Sequence, residues 1–318
     1  MTQRPFEPGG SQFGPIVVAI PTFRRPRQLA QLMQGLLAAH GDLIDLLIVG
    51  DNDGCAEVRD LVESFAARAR ALRYVAVGER GVAQVRNALI EEASRQLPGW
   101  TWIVMLDDDG LVTEGWLAAL LATGECLQAH LVGGPVEGAL PDGASALARN
   151  SIFSSRRRWP TGLVPTLNTT QNLAISRRLL SLLEPPLFRA EYGASGGEDY
   201  DLFRRTSRRG GRLAWCDEAV VIEPAPPERL TAAALLRRYY TTGMYMAPID
   251  RGYDGVARGV ATMIKGMLRS GLEILGGVAR ADADLAARGV LGSAHYLGRA
   301  SGLMGGSSSR YVNRKAAP

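Results

Sequence analysis

Three consecutive carboxylates, Asp107-Asp108-Asp109, close the apolar run Trp102-Ile103-Val104-Met105-Leu106 and are followed at once by Gly110. The run is short and partly β-branched, so a buried strand ending in a turn is predicted. Side-by-side carboxylates repel one another, and a strand end gives them little room to spread. A hard divalent cation relieves that repulsion: Mg2+ or Mn2+ held by one or two carboxylates completes its shell with water and substrate phosphates. The competing reading is a solvated acidic turn of the kind that follows many strands. A second chemical feature is the turn Gly78 to Gly81, which leads into a helix carrying Val82, Val85, Leu89 and Ile90 and presents Arg86 and Asn87 in its first turns. A helix N-terminus with an arginine nearby is a ready anion site; Arg86 taken singly reads as a surface ion-pair partner. A third is Glu198-Asp199 with Asp201, which opens a helix through Leu202-Phe203-Arg204-Arg205. Acids in a first helical turn ordinarily just complement the helix dipole.

These residues need a scaffold, and the N-terminal half supplies one by alternating strand and helix. Ile16-Val17-Val18-Ala19-Ile20 reads as a buried strand closed by Pro21-Thr22. From Pro26, Leu29, Leu32, Met33, Leu36 and Leu37 recur at helical spacing. Leu46 to Val49 forms a second strand, ended by Gly50-Asp51-Asn52-Asp53-Gly54, and a helix from about Glu57 to Arg70 leads to a third strand around Tyr74 to Val77. After the acidic strand, Thr113 caps a helix with Trp116, Leu117, Leu120 and Leu121 on one face. Such alternation builds a parallel, doubly wound sheet, whose ligands bind beyond the carboxyl ends of the strands. Thr22, Asp51, Gly81 and the Asp107–Asp109 cluster all fall there and converge on one crevice. A metal cluster, an anion-binding helix and an acid able to accept from a base or ribose together suggest a nucleotide diphosphate. There is no GxGxxG after the first strand and no GxxxxGK[ST] loop, so neither a dinucleotide cofactor nor a P-loop is expected. The DxD spacing is shared with aspartyl phosphatases, but their chemistry wants the acids on the first strand and Thr or Val where Leu111 stands.

The chain has 318 residues, enough for one large domain or two modest ones. With 46% apolar and 21% charged residues it has the composition of an ordinary globular protein. The net charge is only +4, but the basic residues cluster as Arg156-Arg157-Arg158, Arg177-Arg178, Arg204-Arg205, Arg208-Arg209 and Arg237-Arg238. Such groups can meet phosphates or an anionic membrane, or form solvated helix faces. No nucleic-acid module accompanies them, and no nucleic-acid partner is expected. Cys55, Cys126 and Cys216 are few, odd in number and far apart, which argues against a disulfide framework or zinc knuckle and fits a reducing cytosol. Residues 1–14 are rich in Pro, Gly and polar groups, lack the apolar core of a signal peptide, and read as a flexible arm.

The motifs Ile20-Pro21-Thr22-Phe23-Arg24-Arg25, Val49-Gly50-Asp51-Asn52, Gly81-Val82-Ala83-Gln84-Val85-Arg86-Asn87, Leu106-Asp107-Asp108-Asp109, Gly133-Gly134, Gln171-Asn172-Leu173 and Gly197-Glu198-Asp199-Tyr200-Asp201-Leu202 occur in this order. Each alone is weak; the ordered series is specific. Over about residues 15 to 245 the chain resembles a family 2 glycosyltransferase of the GT-A fold, departing from many members in having Gly50 where they carry Asp. The resemblance implies an α/β fold with a Rossmann-like, mostly parallel central sheet flanked by helices and a C-terminal helical extension. It divides the chain into a nucleotide-sugar-binding half (15–135) and an acceptor half with the catalytic base (136–228), followed by a C-terminal helical region (229–305); the Ser-rich, basic end (306–318) reads from its composition as a disordered tail. The resemblance further implies that Pro21 and Thr22 frame the nucleoside, that Asp51 accepts a hydrogen bond from the base, and that Arg86 lies beside the nucleotide. Asp107 would face the ribose or sugar, Asp109 would hold Mn2+ or Mg2+, and Asp108 would share either role. An acceptor hydroxyl must lose its proton as it attacks an anomeric carbon; the family pattern makes Asp199 the base, with Glu198 orienting it or the acceptor and Asp201 in reserve. Arg238 is the candidate to approach the diphosphate. The activity implied is inverting, metal-dependent transfer from a nucleotide-diphosphate sugar (UDP-sugar by default) to a saccharide or polyprenyl-linked acceptor, in exopolysaccharide or cell-envelope glycan synthesis. Glycoside hydrolysis instead needs two carboxyls flanking the scissile bond at ~5–10 Å, and a contiguous acidic triplet is a poor source of such a pair. A non-catalytic nucleotide-sugar-binding or scaffold protein on the same fold is the alternative, against which the intact Asp107–Asp109 and Asp199 speak.

Two segments stay open. Gly138 to Leu167 reads as an irregular loop, a lid with Trp159 free to stack on a sugar or isoprenoid, or a surface loop with Trp159 in the core. In the tail from Val256, Met263, Ile264, Met267, Leu268, Leu272 and Leu275 stand against Arg258, Lys265 and Arg269. The charges exclude a simple membrane span and allow an interfacial helix, while Gly271, Gly276-Gly277 and Gly292 weaken any helix. Packing onto the catalytic domain is the other reading. The expected location is the cytoplasm, with peripheral attachment at the inner face of the membrane if the acceptor is lipid-linked.

Overall fold

The structure, a computed structural model, describes residues 12–154, 157–193 and 195–306. The expected arm up to residue 11, Arg156 of the arginine run and the expected tail from residue 307 lie outside the described residues. In chain order the elements are β1 (Ile16–Thr22), α1 (Pro26–His40), β2 (Leu46–Asp51), α2 (Ala56–Ser64), β3 (Leu72–Ala76), α3 (Val82–Gln96), β4 (Trp102–Leu106), β5 (Leu111–Val112) and α4 (Trp116–Cys126). There follow β6 (Leu131–Gly133), β7 (Val136–Ala139), α5 (Ala146–Arg149), β8 (Gly162–Leu163), β9 (Asn172–Ser176), α6 (Glu198–Arg208), β10 (Leu213–Trp215) and β11 (Val221–Pro224). Three long helices end the described chain: α7 (Ala232–Asp254), α8 (Val256–Arg280) and α9 (Ala283–Leu303).

Eight strands form the central sheet in the order β3-β2-β1-β4-β9-β6-β10-β8. The pairs β1–β2, β2–β3, β1–β4 and β6–β10 are parallel, whereas β9 runs antiparallel to both β4 and β6, and β8 antiparallel to β10. The sheet is buried on both faces because alternate side chains of its strands enter different cores. Val18, Ile20, Leu47, Val49, Val104 and Leu106 pack with Leu29, Leu36, Trp116 and Leu120 of α1 and α4. Val17, Ala19, Ile48, Ile103 and Met105 pack with Val85, Leu89 and Ile90 of α3. Gly50 is where α3 comes closest to β2: a Cβ there would stand 2.9 Å from Val85 Cγ2 and 3.0 Å from Leu89 Cγ. A larger residue at this position would require Val85 and Leu89 to shift.

The chain falls into two compact units: residues up to 136 with 158–190 and 202–222, and residues 137–157 with 191–201 and 223 onward. The first holds the whole central sheet. The segment expected as the acceptor half, 136–228, is shared between them. The irregular loop predicted over Gly138 to Leu167 contains more structure than its composition suggests, namely the end of β7, α5 and the edge strand β8. Trp159 is half-buried and meets Trp215 edge-on, with ring centroids 5.1 Å apart, which is the core position.

Among its described residues up to Leu303 the tail is helical apart from the break at Ala281 and Asp282, which corrects the weight given to its glycines. Several glycines of the second unit are contact points at which a helix meets its neighbour, whereas Gly271 meets nothing. A Cβ at Gly243 would meet the His295 carbonyl, one at Gly298 the Tyr240 carbonyl, and one at Gly266 the Tyr296 ring. On α8 the small residues Gly259, Gly266, Ser270 and Gly277 are the buried ones. The opposite side exposes Ile264, Leu268, Leu272, Leu275 and Val278, at 51–73%. Met263 and Met267, expected on the same apolar stripe, are half-buried beside it.

Candidate active site

Adjacency of β1 and β4 brings Thr22 at the end of β1 to the acids that follow β4. Thr22 Oγ1 donates to Asp108 Oδ2 at 2.7 Å. Arg25, just before α1, bridges the acids: its Nη1 lies 2.8 Å from Asp108 Oδ1 and 2.7 Å from Asp109 Oδ2. Burial pushes the Asp108 carboxyl up to about 6 against the pull of Arg25. Burial also works against the Arg25 charge, but Asp108 and Asp109 outweigh it and hold the guanidinium above its ordinary value. Asp107 is the most open of the three, at 29%. Arg86, almost buried on α3, reaches toward it with Nη2 3.4 Å from Asp107 Oδ1 and lies over the Phe188 ring at 5.6 Å. The neighbouring Asn87 grips the Phe188 backbone twice, donating to its carbonyl at 2.6 Å and accepting from its N–H at 3.0 Å.

The donor set fits a hard divalent cation. Among the described residues no group of three His, Cys, Asp or Glu side chains could hold a metal ion by itself; a hard divalent cation can also be held by one or two carboxylates with phosphates completing its shell. The arginine drawn onto Asp108 and Asp109 shows that the acids already recruit positive charge. Asp109, the residue expected to hold the ion, and Asp107, expected to face the ribose or sugar, are both more open than Asp108.

At β2 the structure gives Asp51 a structural task. It is fully buried, and its carboxylate accepts from Asp53 N–H at 2.9 Å, Cys55 N–H at 2.8 Å and Tyr74 Oη at 2.9 Å. Burial, with the bond to Asp51, pushes the Tyr74 phenol up to about 12. Asn52 joins this loop to the next one: its Nδ2 donates to the carbonyls of Val77 and Glu79, and its Oδ1 accepts from Gly81 N–H at 3.0 Å. Gly81 has φ +144°, a conformation that favours glycine, and it starts α3. Pro21 is half-buried and registers with Gly50. At the rim, Phe23 carries Arg24 at 5.1 Å and Arg80 at 5.3 Å on its ring, and both guanidiniums pair with Asp53.

Asn172 holds the sheet's far side together. Fully buried, it accepts from Trp116 Nε1 at 2.9 Å and donates to the carbonyls of Pro135 and Ala219 at 3.0 and 2.7 Å. Gly134 is small for the same reason: a Cβ there would lie 2.6 Å from Asn172 Nδ2.

In the second unit the acids opening α6 are not equivalent. Glu198 and Asp201 are buried, while Asp199 is half-buried and accepts from Tyr200 N–H at 2.7 Å. Asp201 accepts from Tyr253 Oη at 2.7 Å. Arg238 lies over the Phe153 ring at 5.2 Å. Thus Thr22, Arg86 and Asp107–Asp109 come together in the first unit, with Pro21 and Asp51 on adjoining strand ends. Glu198, Asp199 and Arg238 belong to the second unit. Sequence reasoning gave no individual role to Arg25, Asn52, Tyr74 or Asn87; Arg25, Asn52 and Asn87 lie inside the quoted motifs, while Tyr74 carried only a strand signal.

Comparison with known proteins agrees with this geometry. The model of a family described as "Glycosyltransferase like family 2" matches residues 14–241. The succinoglycan biosynthesis protein ExoM of Rhizobium meliloti (strain 1021) is 32% identical over 232 residues, 72% of this chain and 72% of that protein. The galactofuranosyltransferase GlfT1 of Mycobacterium tuberculosis (strain ATCC 25618 / H37Rv) is 28% identical over 225 residues, 66% of this chain and 70% of that protein. Among solved structures, S. aureus TarS aligns at 13% identity with a TM-score of 0.52, covering 90% of this chain and 55% of TarS. GalNAc-T7 with UDP, GalNAc and Mn2+ aligns at 14% identity with a TM-score of 0.53, over 72% of this chain and 48% of GalNAc-T7. These two share the fold.

Proposed function

The chain belongs to glycosyltransferase family 2, and from that premise we propose an inverting, metal-dependent enzyme. It moves a sugar from a nucleotide-diphosphate sugar, UDP-sugar as first choice, to a hydroxyl of a saccharide or polyprenyl-linked acceptor. The observation that carries the reading is the acidic end of β4, where Asp108 is buried and Arg25 spans Asp108 and Asp109. Pro21, Thr22 and the loop organised by Asp51 and Asn52 frame the nucleoside, and Arg86 steadies Asp107 beside the ribose or sugar. Asp109 holds Mn2+ or Mg2+; when bound, the ion neutralises the charge that develops on the departing diphosphate. Asp199 takes the acceptor proton as the hydroxyl attacks the anomeric carbon opposite the leaving group, which inverts the configuration. Glu198 positions the acceptor or Asp199, Asp201 fixes the turn that carries them, and Arg238 is the candidate for a diphosphate contact from α7. The ExoM relative, named for succinoglycan biosynthesis, supports a place in exopolysaccharide or envelope glycan synthesis; the location that goes with this proposal is the cytoplasm. Calorimetry with UDP, GDP and TDP, with and without Mn2+, on wild type and Asp109→Ala tests this. One nucleotide should bind only with the metal and lose binding in the variant. A folded protein that binds none of them would leave the non-catalytic scaffold reading.

An anionic bilayer surface is the partner proposed for α8. Six of the twelve exposed large apolar side chains among the described residues lie on this helix, a concentration that marks an interaction surface. Arg258, Lys265 and Arg269 are exposed on the same helix, where long basic side chains can reach lipid phosphates while the apolar stripe enters the acyl boundary. No described helix is long and apolar enough to cross a membrane, which leaves attachment in the interface plane. Sedimentation with vesicles of mixed phosphatidylglycerol and phosphatidylcholine should pull down wild type and leave Leu268→Glu/Leu272→Glu in the supernatant. Equal sedimentation of both proteins removes the proposal. Concentration-dependent self-association without vesicle binding would instead make the stripe a contact between copies of this chain.

A further inference from the structure

Deepening the proposed role of Asp199, on which it rests, we infer that Asp250, Tyr253 and Arg299 on the C-terminal helices are positioning residues for the base-bearing turn. The residues flanking Asp199 are each held, and every holding group lies in the second unit. On one side, Gly197 adopts φ +102° and lies so close to α7 that a Cβ would stand 2.8 Å from both Ile249 Cδ1 and Tyr245 Cδ2. On the other, Tyr200 Oη donates to Asp250 Oδ1 at 2.5 Å and Tyr253 Oη donates to Asp201 Oδ1 at 2.7 Å. Asp201 N–H closes the turn onto the Gly197 carbonyl at 2.8 Å. Asp250 and Tyr253 are three residues apart, so one face of α7 carries both grips.

The grip is stiffened from α9. Arg299, 4% exposed, donates through Nη2 to Asp250 Oδ2 at 2.6 Å. A charge-assisted bond of this length fixes the Asp250 carboxylate, and with one oxygen on Arg299 and the other on Tyr200 that carboxylate has little freedom to rotate. The half-buried Asp199 thus stands on a turn whose backbone is held before and after it, while its own carboxylate receives only the local Tyr200 N–H among the described bonds. A base so placed is pre-aimed at its proton, and misplacement by about an ångström can cost ~100-fold in rate.

Tyr253→Phe and Tyr200→Phe each remove one hydroxyl and leave the ring in place. Each is expected to lower kcat about 10-fold or more at unchanged donor KM and with unaltered metal-dependent nucleotide binding. The double variant should lose less than the product of the two, since both grips serve one turn. Arg299→Lys should retain more activity than Arg299→Met, in which Asp250 loses its charged partner. A purely structural role predicts normal kcat per folded molecule, whatever the unfolding midpoint does. Asp199→Asn is run alongside. If it abolishes turnover while both phenylalanine variants keep wild-type kcat, the positioning inference fails and the base reading stands. If Asp199→Asn turns over normally, the base reading itself falls.

Discussion

Asp108 and Arg25 show how one residue pair can prepare a site before any ligand arrives. The fold buries a carboxylate at the end of the central strand, compensates it with a threonine hydroxyl and a guanidinium, and leaves the acids beside it more open. Arg25 and Asp108 are 83 positions apart in sequence, and an arginine in a loop has no periodicity to reveal its partner; for that reason the acids were legible from sequence and their cation was not. Asn172 has a different kind of importance. Asn172→Ala leaves Trp116 Nε1 and the carbonyls of Pro135 and Ala219 without their partner, so equilibrium urea unfolding should report a loss of about 3 kcal/mol or more. His295 supplies a pH signature. Burial and the neighbouring Arg299 push its imidazole down to about 4, with a backbone bond to Tyr239 and the Asp250 charge opposing the shift. The neutral ring is favoured by the fold, so its contribution is complete above the ordinary value of about 6.5 and is lost as pH falls toward 4. Stability should drop by about 2 kcal/mol between pH 7 and pH 5 on this account. His295→Gln should flatten that segment of the unfolding profile.

Among the elements, strands were the most legible. β1, β2 and β4 carry unbroken apolar runs and are buried throughout or nearly so. β9 was harder: Asn172–Ser176 is fully buried and inserts antiparallel between β4 and β6, a placement that local sequence does not encode because strand direction depends on the connection before it. Trp159 was ambiguous for a similar reason, since its contact with Trp215 is made across a long connection. The helices of the tail were masked by their glycines. Gly lowers intrinsic helix propensity, yet at Gly243, Gly277, Gly289, Gly298 and Gly302 that cost is offset by backbone contact that no larger residue permits. Gly298→Val places a branched side chain against the Tyr240 carbonyl and should force α7 and α9 apart. Circular dichroism melts are expected to show destabilisation of several kcal/mol in magnitude, whereas Gly271→Ala, which meets nothing, should be neutral or slightly stabilising.

At the scale of the whole molecule, ligand linkage gives the simplest readout. A nucleotide present at 100 times its Kd adds about 2.7 kcal/mol to folding, which corresponds to a rise of a few degrees in the unfolding midpoint. The rise should require nucleotide and Mn2+ together and vanish in Asp109→Ala. The two compact units interleave along the chain, the second drawing on residues 137–157, 191–201 and 223 onward. This interleaving sets an order of events during synthesis. The strands of the central sheet and the acids after β4 emerge from the ribosome well before α7 and α9. The turn carrying Asp199 therefore waits for Asp250, Tyr253 and Arg299, the last of them 100 residues downstream of Asp199. If the proposed roles hold, a nascent chain or a product cut short before α9 has the residues of the proposed donor site in place ahead of a positioned Asp199, so the capacity to bind sugar nucleotide should appear earlier in the life of the polypeptide than the capacity to spend it.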